Sequence, residues 1–323
     1  MTFDEVMDEM ADAGERSILL GNGFSQSWDQ QIFNYANLLE QADFGNREDV
    51  IRALFDNLIT YDFERVMQSL VSARTVLRSY GDYQQTVDQI EADEEVLKDA
   101  LIAAIASTHP DLPRQVAEEQ FIAVRHFLSR FNNIFSVNYD LLLYWARNQG
   151  DLEPKGYETD DGFRKDQSWV GHGTNQQVHF LHGGLHIYDG EYAIRKHAYE
   201  EGLPIIEQVR GNLERGMFPL FVSEPTAELK QRRIAKHPYL SFCYQALSEM
   251  SGSLVIFGHS IDENEKHIFD QIKRSRVDRV FVSIFGDENS EPSVRVKANA
   301  RAYLEEKGRT VSFFAAESTV VWA

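Results

Sequence analysis

A chain of 323 residues is long enough for two domains of about 100–200 residues each, or for one large α/β domain carrying an insertion. With 43% apolar and 26% charged side chains it can bury a core, which excludes wholesale disorder. Its net charge of −19 repels phosphate backbones and anionic lipid, so direct nucleic-acid binding and membrane association are not expected. A small phosphate-bearing ligand held by local N–H groups stays compatible with that charge.

The opening residues, Met1-Thr2-Phe3-Asp4-Glu5, are acidic where a signal peptide would be basic. No apolar run approaches the roughly 20 residues of a bilayer span, and a cytoplasmic location is the expectation. Ser17–Leu20 reads as a buried strand running into the turn Gly21-Asn22-Gly23-Phe24-Ser25. Glycines in such a turn permit close backbone approach, and the N–H groups at a following helix start can receive an anion. A tight strand–helix turn needs the same glycines for its own sake. The position where a dehydrogenase fingerprint would carry a third glycine is Gln26.

Residues 34–130 are almost free of strand patterns, rich in Leu, Ala, Glu and Gln, and carry helical spacing such as Val96-Leu97-Leu101-Ala104-Ile105. They predict an all-helical insertion between the first two strands. Within it, Tyr61-Asp62-Phe63-Glu64-Arg65 opens a helix whose acids complement the dipole. The next strand, Ile134–Val137, stops at Asn138-Tyr139-Asp140, and a helix starts at Leu141. Asn138 or Asp140 can cap that helix, or can sit in the crevice where parallel sheets bind ligands. Gly150–Asn175 is polar and glycine-rich and predicts a surface loop or short hairpin.

Strand Val178–Leu181 leads into His182-Gly183-Gly184-Leu185-His186, with His179 just upstream. Three histidines at such spacings suggest a metal, but residues an odd number apart on a strand face opposite sides, and the two glycines prevent a helix that would align them. No metal is therefore expected. His182 alone, at the strand terminus, has the titration range of a general base, with a structural histidine as the alternative. Pro219–Val222 predicts a further strand. The single cysteine, Cys243, excludes an intrachain disulfide and a multi-thiolate zinc site, and its neighbours mark it as a packed helix position.

The last third is the clearest. Strand Leu254–Phe257 ends at Gly258-His259-Ser260-Ile261-Asp262-Glu263-Asn264-Glu265, where Ser260 with Glu263, or Asp262 with Glu265, has capping-box spacing. A helix near Glu263–Arg274, strand Arg279–Phe285, helix Ser293–Glu306 and strand Val311–Phe314 follow. Continuous apolar strands separated by helices predict a doubly wound, mostly parallel Rossmann-like α/β sheet. The core comprises residues 1–33 and 131–323, with 34–130 as the helical insertion.

Taken together and in this order, Gly21-Asn22-Gly23-Phe24-Ser25, Asn138-Tyr139-Asp140, Leu181-His182-Gly183 and Gly258-His259-Ser260 resemble the motifs of the sirtuin-like SIR2 superfamily. With Asp62-Phe63-Glu64 added, the combination is most similar to bacterial SIR2-like branches of the DUF4917 and AbiH types. The chain departs from deacylase sirtuins in lacking a four-cysteine zinc module, and in carrying Asn22 where a small alanine is usual. The resemblance implies an NAD+ glycohydrolase that cleaves the nicotinamide–ribose bond, with NAD+ as substrate and no metal. It implies that Gly21, Asn22, Gly23, Phe24 and Ser25 surround the phosphates. Asn138 would position the ribose or the attacking water, Asp140 would touch the carboxamide, and His182 would act as base with Gly183 giving access to it. Gly258 and Ser260 would face the adenosine side. A role in antiphage defence, a homo-oligomer and a restraining protein regulator follow from the same resemblance. A catalytically silent NAD+ or ADP-ribose sensor is the alternative, and an ADP-ribosyl transferase a third reading.

Overall fold

The computed structural model describes residues 1–30, 35–173, 176–198, 200, 202–213, 215 and 217–322. The expected boundary at 33/34 lies outside the described residues, as do Thr174 and Asn175 of the expected 150–175 loop. Among the described residues nine strands form two sheets: β1 (Arg16–Leu20), β2 (Asn133–Ser136), β3 (Gln177–Phe180), β4 (Gly183–Asp189), β5 (Ile194–Lys196), β6 (Pro219–Phe221), β7 (Ser251–Phe257), β8 (Arg276–Ile284) and β9 (Thr310–Ala315). The main sheet has the order β3-β2-β1-β7-β8-β9, and all its pairings are parallel.

This order follows from the strand sequences. Ile18, Leu19, Leu20, Leu254, Val255 and Ile256 are all fully buried, so the two central strands are apolar on both faces and must be covered on both. The chain winds outward from β1 through β2 to β3, then returns to lay β7, β8 and β9 on the other side. The direction of winding reverses between β1 and β7. In such a sheet the connections that follow adjacent central strands run to opposite faces and leave a crevice at the carboxyl ends.

Pro219–Phe221 does not join the parallel sheet. It pairs antiparallel with β4, which also pairs with β5, in a separate three-stranded sheet. Its short apolar run cannot by itself distinguish a central parallel strand from a small antiparallel one. Residues between β1 and β2 form helices Tyr35–Gln41, Glu48–Leu58, Phe63–Tyr80, Gln84–Thr108 and Glu118–Leu128, with short 3-10 turns between them. Phe44, Phe55 and Phe63 pack ring to ring within this insertion, at 5.0–6.4 Å between centroids. Helix Gln84–Thr108 buries Leu97, Leu101 and Ile105. Among the described residues no helix is long and apolar enough to cross a membrane.

Candidate functional site

A cavity of about 700 Å³ lies at the carboxyl ends of β1, β2 and β7, over the point where the winding reverses. That volume lies within the roughly 300–1,000 Å³ usual for small-molecule sites. The turns after β1 and β7 form its floor and Leu101 and Ile105 of the insertion contribute to its wall.

The floor is built by two turns in direct backbone contact. Gly21 N–H donates to Phe257 O at 2.9 Å and Gly23 N–H to Gly258 O at 2.8 Å. A Cβ on Gly21 would stand 2.5 Å from Gly258 O, and one on Gly258, at φ +67°, 2.6 Å from Gly23 Cα. These glycines are thus required by the approach of one turn to the other. The N–H groups of Gly21, Gly23 and Phe24 are all spent on backbone carbonyls, Phe24 donating to Gly21 O. This corrects the expectation that they receive a phosphate.

Asn138 and Asp140 knit the β2 turn to the β1 turn. Asn138 Nδ2 donates to Gly21 O and to Ser25 Oγ, both at 3.0 Å, and Ser25 Oγ donates to Asp140 Oδ2 at 2.5 Å. The other oxygen of Asp140 accepts the N–H of Leu142 at 2.8 Å, so the helix-start role is real. Burial pushes the Asp140 carboxyl above the usual carboxylate range. Both N–H groups of the Asn138 amide are committed, which leaves its carbonyl oxygen to meet a ligand.

Asn138, Asp140, His182, Gly21, Asn22, Gly23, Gly258 and Ser260 all line the cavity. Phe24, Ser25 and Gly183 do not. Phe24 is fully buried against Trp322, whose Nε1 donates to its carbonyl. Ser25 is buried within the Asn138–Asp140 network. Gly183 adopts φ +78°, and β6 leaves no room for a side chain there, since a Cβ would lie 2.0 Å from Leu220 O. The capping boxes expected after β7 are not made, since Asp262 caps the 3-10 turn Glu263–Glu265 without a side-chain bond. Ile261, a buried β-branched residue beside the cavity, sits at φ +53°, held by Asn299 Nδ2 on its carbonyl and His259 Nδ1 on its N–H. Left-handed backbone at such a residue stores strain of about 1–3 kcal/mol.

His182 is 2% exposed. Burial, with the Lys230 ammonium and His259 nearby, holds its imidazole well below the ordinary histidine range, so it is neutral at pH 7. Its Nε2 lies 3.4 Å from Glu265 Oε2, while Glu265 Oε1 accepts from the fully buried Lys230 at 2.5 Å. His267 brings a second imidazole to the same carboxylate, Nε2 to Oε2 at 3.9 Å. His179, on β3, stacks on Phe135 at 4.7 Å and does not line the cavity. Glu265 entered the sequence reading only as a capping partner and His267 not at all. Their one visible signal is an acid and a histidine two residues apart just beyond a strand-end glycine.

The lining is also electrostatically one-sided. It contains Asp62, Asp140, Asp262, Glu265 and Glu317, and among the described lining residues neither lysine nor arginine. A cationic group is therefore favoured in the cavity, and an anionic one must be met by neutral donors. Cys243 takes no part: it is fully buried on helix Pro238–Glu249, and burial pushes its thiol up to about 12.

The family model described as "Domain of unknown function (DUF4917)" matches residues 18–322 of the chain. No curated protein matches it. Solved structures similar in backbone include "The Structural basis for Sirtuin Substrate affinity", at 13% identity and TM-score 0.39, covering 99% of this chain and 94% of that one. "Structure of Sir2Tm bound to a propionylated peptide" matches at 12% identity and TM-score 0.40, over 99% and 94% of the two chains. "Sir2-p53 peptide-NAD+" matches at 13% and 0.38, over 99% and 95%.

Proposed function

The chain belongs to the DUF4917 family, which is defined without a function, and we propose from the site itself that it is an NAD+ glycohydrolase. The observation that carries this reading is the meeting of Asn138, His182 and the two glycine turns, from four separate strand ends, on one cavity of dinucleotide-compatible size.

Cleaving the nicotinamide–ribose bond releases a neutral base from a cationic pyridinium, so no group has to protonate the leaving nicotinamide. What needs stabilising is positive charge developing on the ribose. Five carboxylates and no lysine or arginine among the described lining residues suit that charge. In this reading the nicotinamide ribose lies near Asn138 and His182. Asn138, its amide orientation fixed by Gly21 and Ser25, offers its carbonyl oxygen to the ribose or the attacking water. Glu265, held by Lys230, stands 3.4 Å from His182 Nε2, which favours the ring proton on that nitrogen and leaves Nδ1 as the one that accepts a proton. The phosphates are assigned to neutral side chains of the floor, Asn22, Gln26 and Ser27 on one side and Ser260 and Asn264 on the other. Gly258 stays beneath the adenosine side, and Asp140 supports Ser25 and the carboxamide end. We carry antiphage defence, a homo-oligomer, a protein regulator and a cytoplasmic location as parts of the same proposal.

A binding-only sensor of NAD+ or ADP-ribose is the second reading, favoured by the loss of Gly21 and Gly23 as phosphate donors. Calorimetric titration with NAD+ and with ADP-ribose, with the NAD+ sample then chromatographed, separates the two. Binding with accumulation of nicotinamide supports the hydrolase, binding of intact NAD+ supports the sensor, and no binding of either ligand refutes both.

A further inference from the structure

The wall of the cavity holds a cluster that base catalysis uses only in part. His182 Nε2, both ring nitrogens of His267 and Glu265 Oε2 are buried without a hydrogen-bond partner, and the two histidines are 2% and 3% exposed. Each such orphan costs about 1–3 kcal/mol if nothing satisfies it. One ligand atom from each residue can be chosen so that all lie within 4.8 Å of one another. The separations to Glu265 Oε2 are 3.4 Å from His182 Nε2 and 3.9 Å from His267 Nε2. For metal bonds of about 2.0–2.2 Å, tetrahedral ligands stand roughly 3.4 Å apart, so His182 and Glu265 already have that spacing, while His267 must close on both, from 3.9 Å to the carboxylate and from within 4.8 Å to the other imidazole.

The donor set decides the kind of ion. Two imidazoles and one carboxylate suit divalent zinc, cobalt, nickel or iron and do not suit calcium or magnesium, which take oxygen ligands. Glu265 is already turned for the purpose: Lys230 holds Oε1 and leaves Oε2 pointing at both imidazoles. The buried ammonium also adds positive charge, so the ion needs an anionic oxygen at its remaining position. His182 and Glu265 line the cavity, and the ion and that oxygen reach the site through it.

We propose that His182, Glu265 and His267 bind a divalent transition-metal ion whose open position faces the cavity, and that occupancy switches His182 off as a base. An ion on Nε2 uses the lone pair there. The proton that Nε2 carried moves to Nδ1, and no ring nitrogen is then left to accept one. The switch rests on the proposed NAD+ cleavage, whereas the binding does not.

The test uses chelator-treated full-length protein. It is titrated with Zn²⁺ alone by calorimetry and with Co²⁺ followed by visible absorption, in wild type and His267→Ala. One ion per chain is expected, bound at least about 100-fold more weakly by the variant. X-ray absorption of the zinc-loaded wild type, expected to show two imidazoles and oxygen ligands, gives the same answer should the variant not fold. Equal affinity in the two proteins, no binding by the wild type, or fewer than two imidazoles on zinc overturns the site. Zinc bound by two imidazoles without slowing nicotinamide release overturns the switch. A protein that binds zinc this way and never cleaves NAD+ refutes the hydrolase and leaves the site standing.

Discussion

His109 offers a test of how the helical insertion is tied to the cavity. It follows helix Gln84–Thr108, is 3% exposed, and stands edge-on to Trp145 at 4.8 Å. Its Nδ1 lies 2.8 Å from Pro110 O, and its Nε2 accepts the N–H of Leu141 at 2.8 Å. Only the neutral Nδ1–H tautomer satisfies both contacts, and Leu141 directly follows the Asn138–Asp140 turn. Burial brings the imidazole down to about 4, the Pro110 carbonyl and Asp111 opposing that shift and Arg210 adding to it.

The sign follows from proton uptake. Between pH 6.5 and 4 an unfolded chain protonates this histidine while the folded chain does not, so stability falls as pH drops through that window and the loss is complete near pH 4. A displacement from 6.5 to about 4 corresponds to about 3 kcal/mol over the whole window. Buried His182, His179, His186, His259 and His267 are displaced in the same direction, so the informative quantity is a difference. His109→Gln keeps an acceptor for Leu141 but does not titrate. Urea denaturation at pH 7.5 and pH 5 should show a smaller acid loss in His109→Gln than in wild type, by about 1–2 kcal/mol. His109→Ala, which strands the buried Leu141 N–H, should lose about 1–3 kcal/mol already at pH 7.5. Equal acid losses in wild type and His109→Gln would refute the reasoning.

Three further outcomes follow from packing and charge. Gly258→Ala forces a Cβ to within 2.6–2.7 Å of Gly23 and Phe24 backbone atoms at positive φ, and should destabilise the chain by more than about 2 kcal/mol in urea denaturation. Lys230→Met leaves the Glu265 carboxylate buried without its cation and should cost about 3–5 kcal/mol, most of it recovered in the double variant Lys230→Met/Glu265→Gln. Cys243, buried with its thiol pushed up to about 12, should stay unlabelled by iodoacetamide at pH 8 in native protein and react fully in urea.

The parallel core was legible because strands such as Ile18–Leu20 and Leu254–Ile256 are apolar without alternation, the mark of burial on both faces. Helical spacing around Leu97, Leu101 and Ile105 revealed the insertion for the same kind of reason. The small sheet was not legible: Pro219–Phe221 is three residues of apolar chain, and β4 begins with two glycines that pair with Phe221 and Leu220, Leu220 closing over the first. At the site, strand-end polar residues were visible as motifs, but their hydrogen bonds were not. Ser25 looks like a phosphate ligand in sequence and is instead the link between Asn138 and Asp140. Glu265 and His267 were missed because what makes them functional candidates is a fold that returns them to His182 across more than 80 positions of chain.

The central claim is that this cavity cleaves NAD+ with His182 as its base, and nicotinamide release by wild type and His182→Ala tests it most directly. The account predicts release by wild type, slowed by about 10²–10⁴-fold in the variant while its melting transition and ADP-ribose affinity are kept. Equal release by the two folded proteins would contradict it.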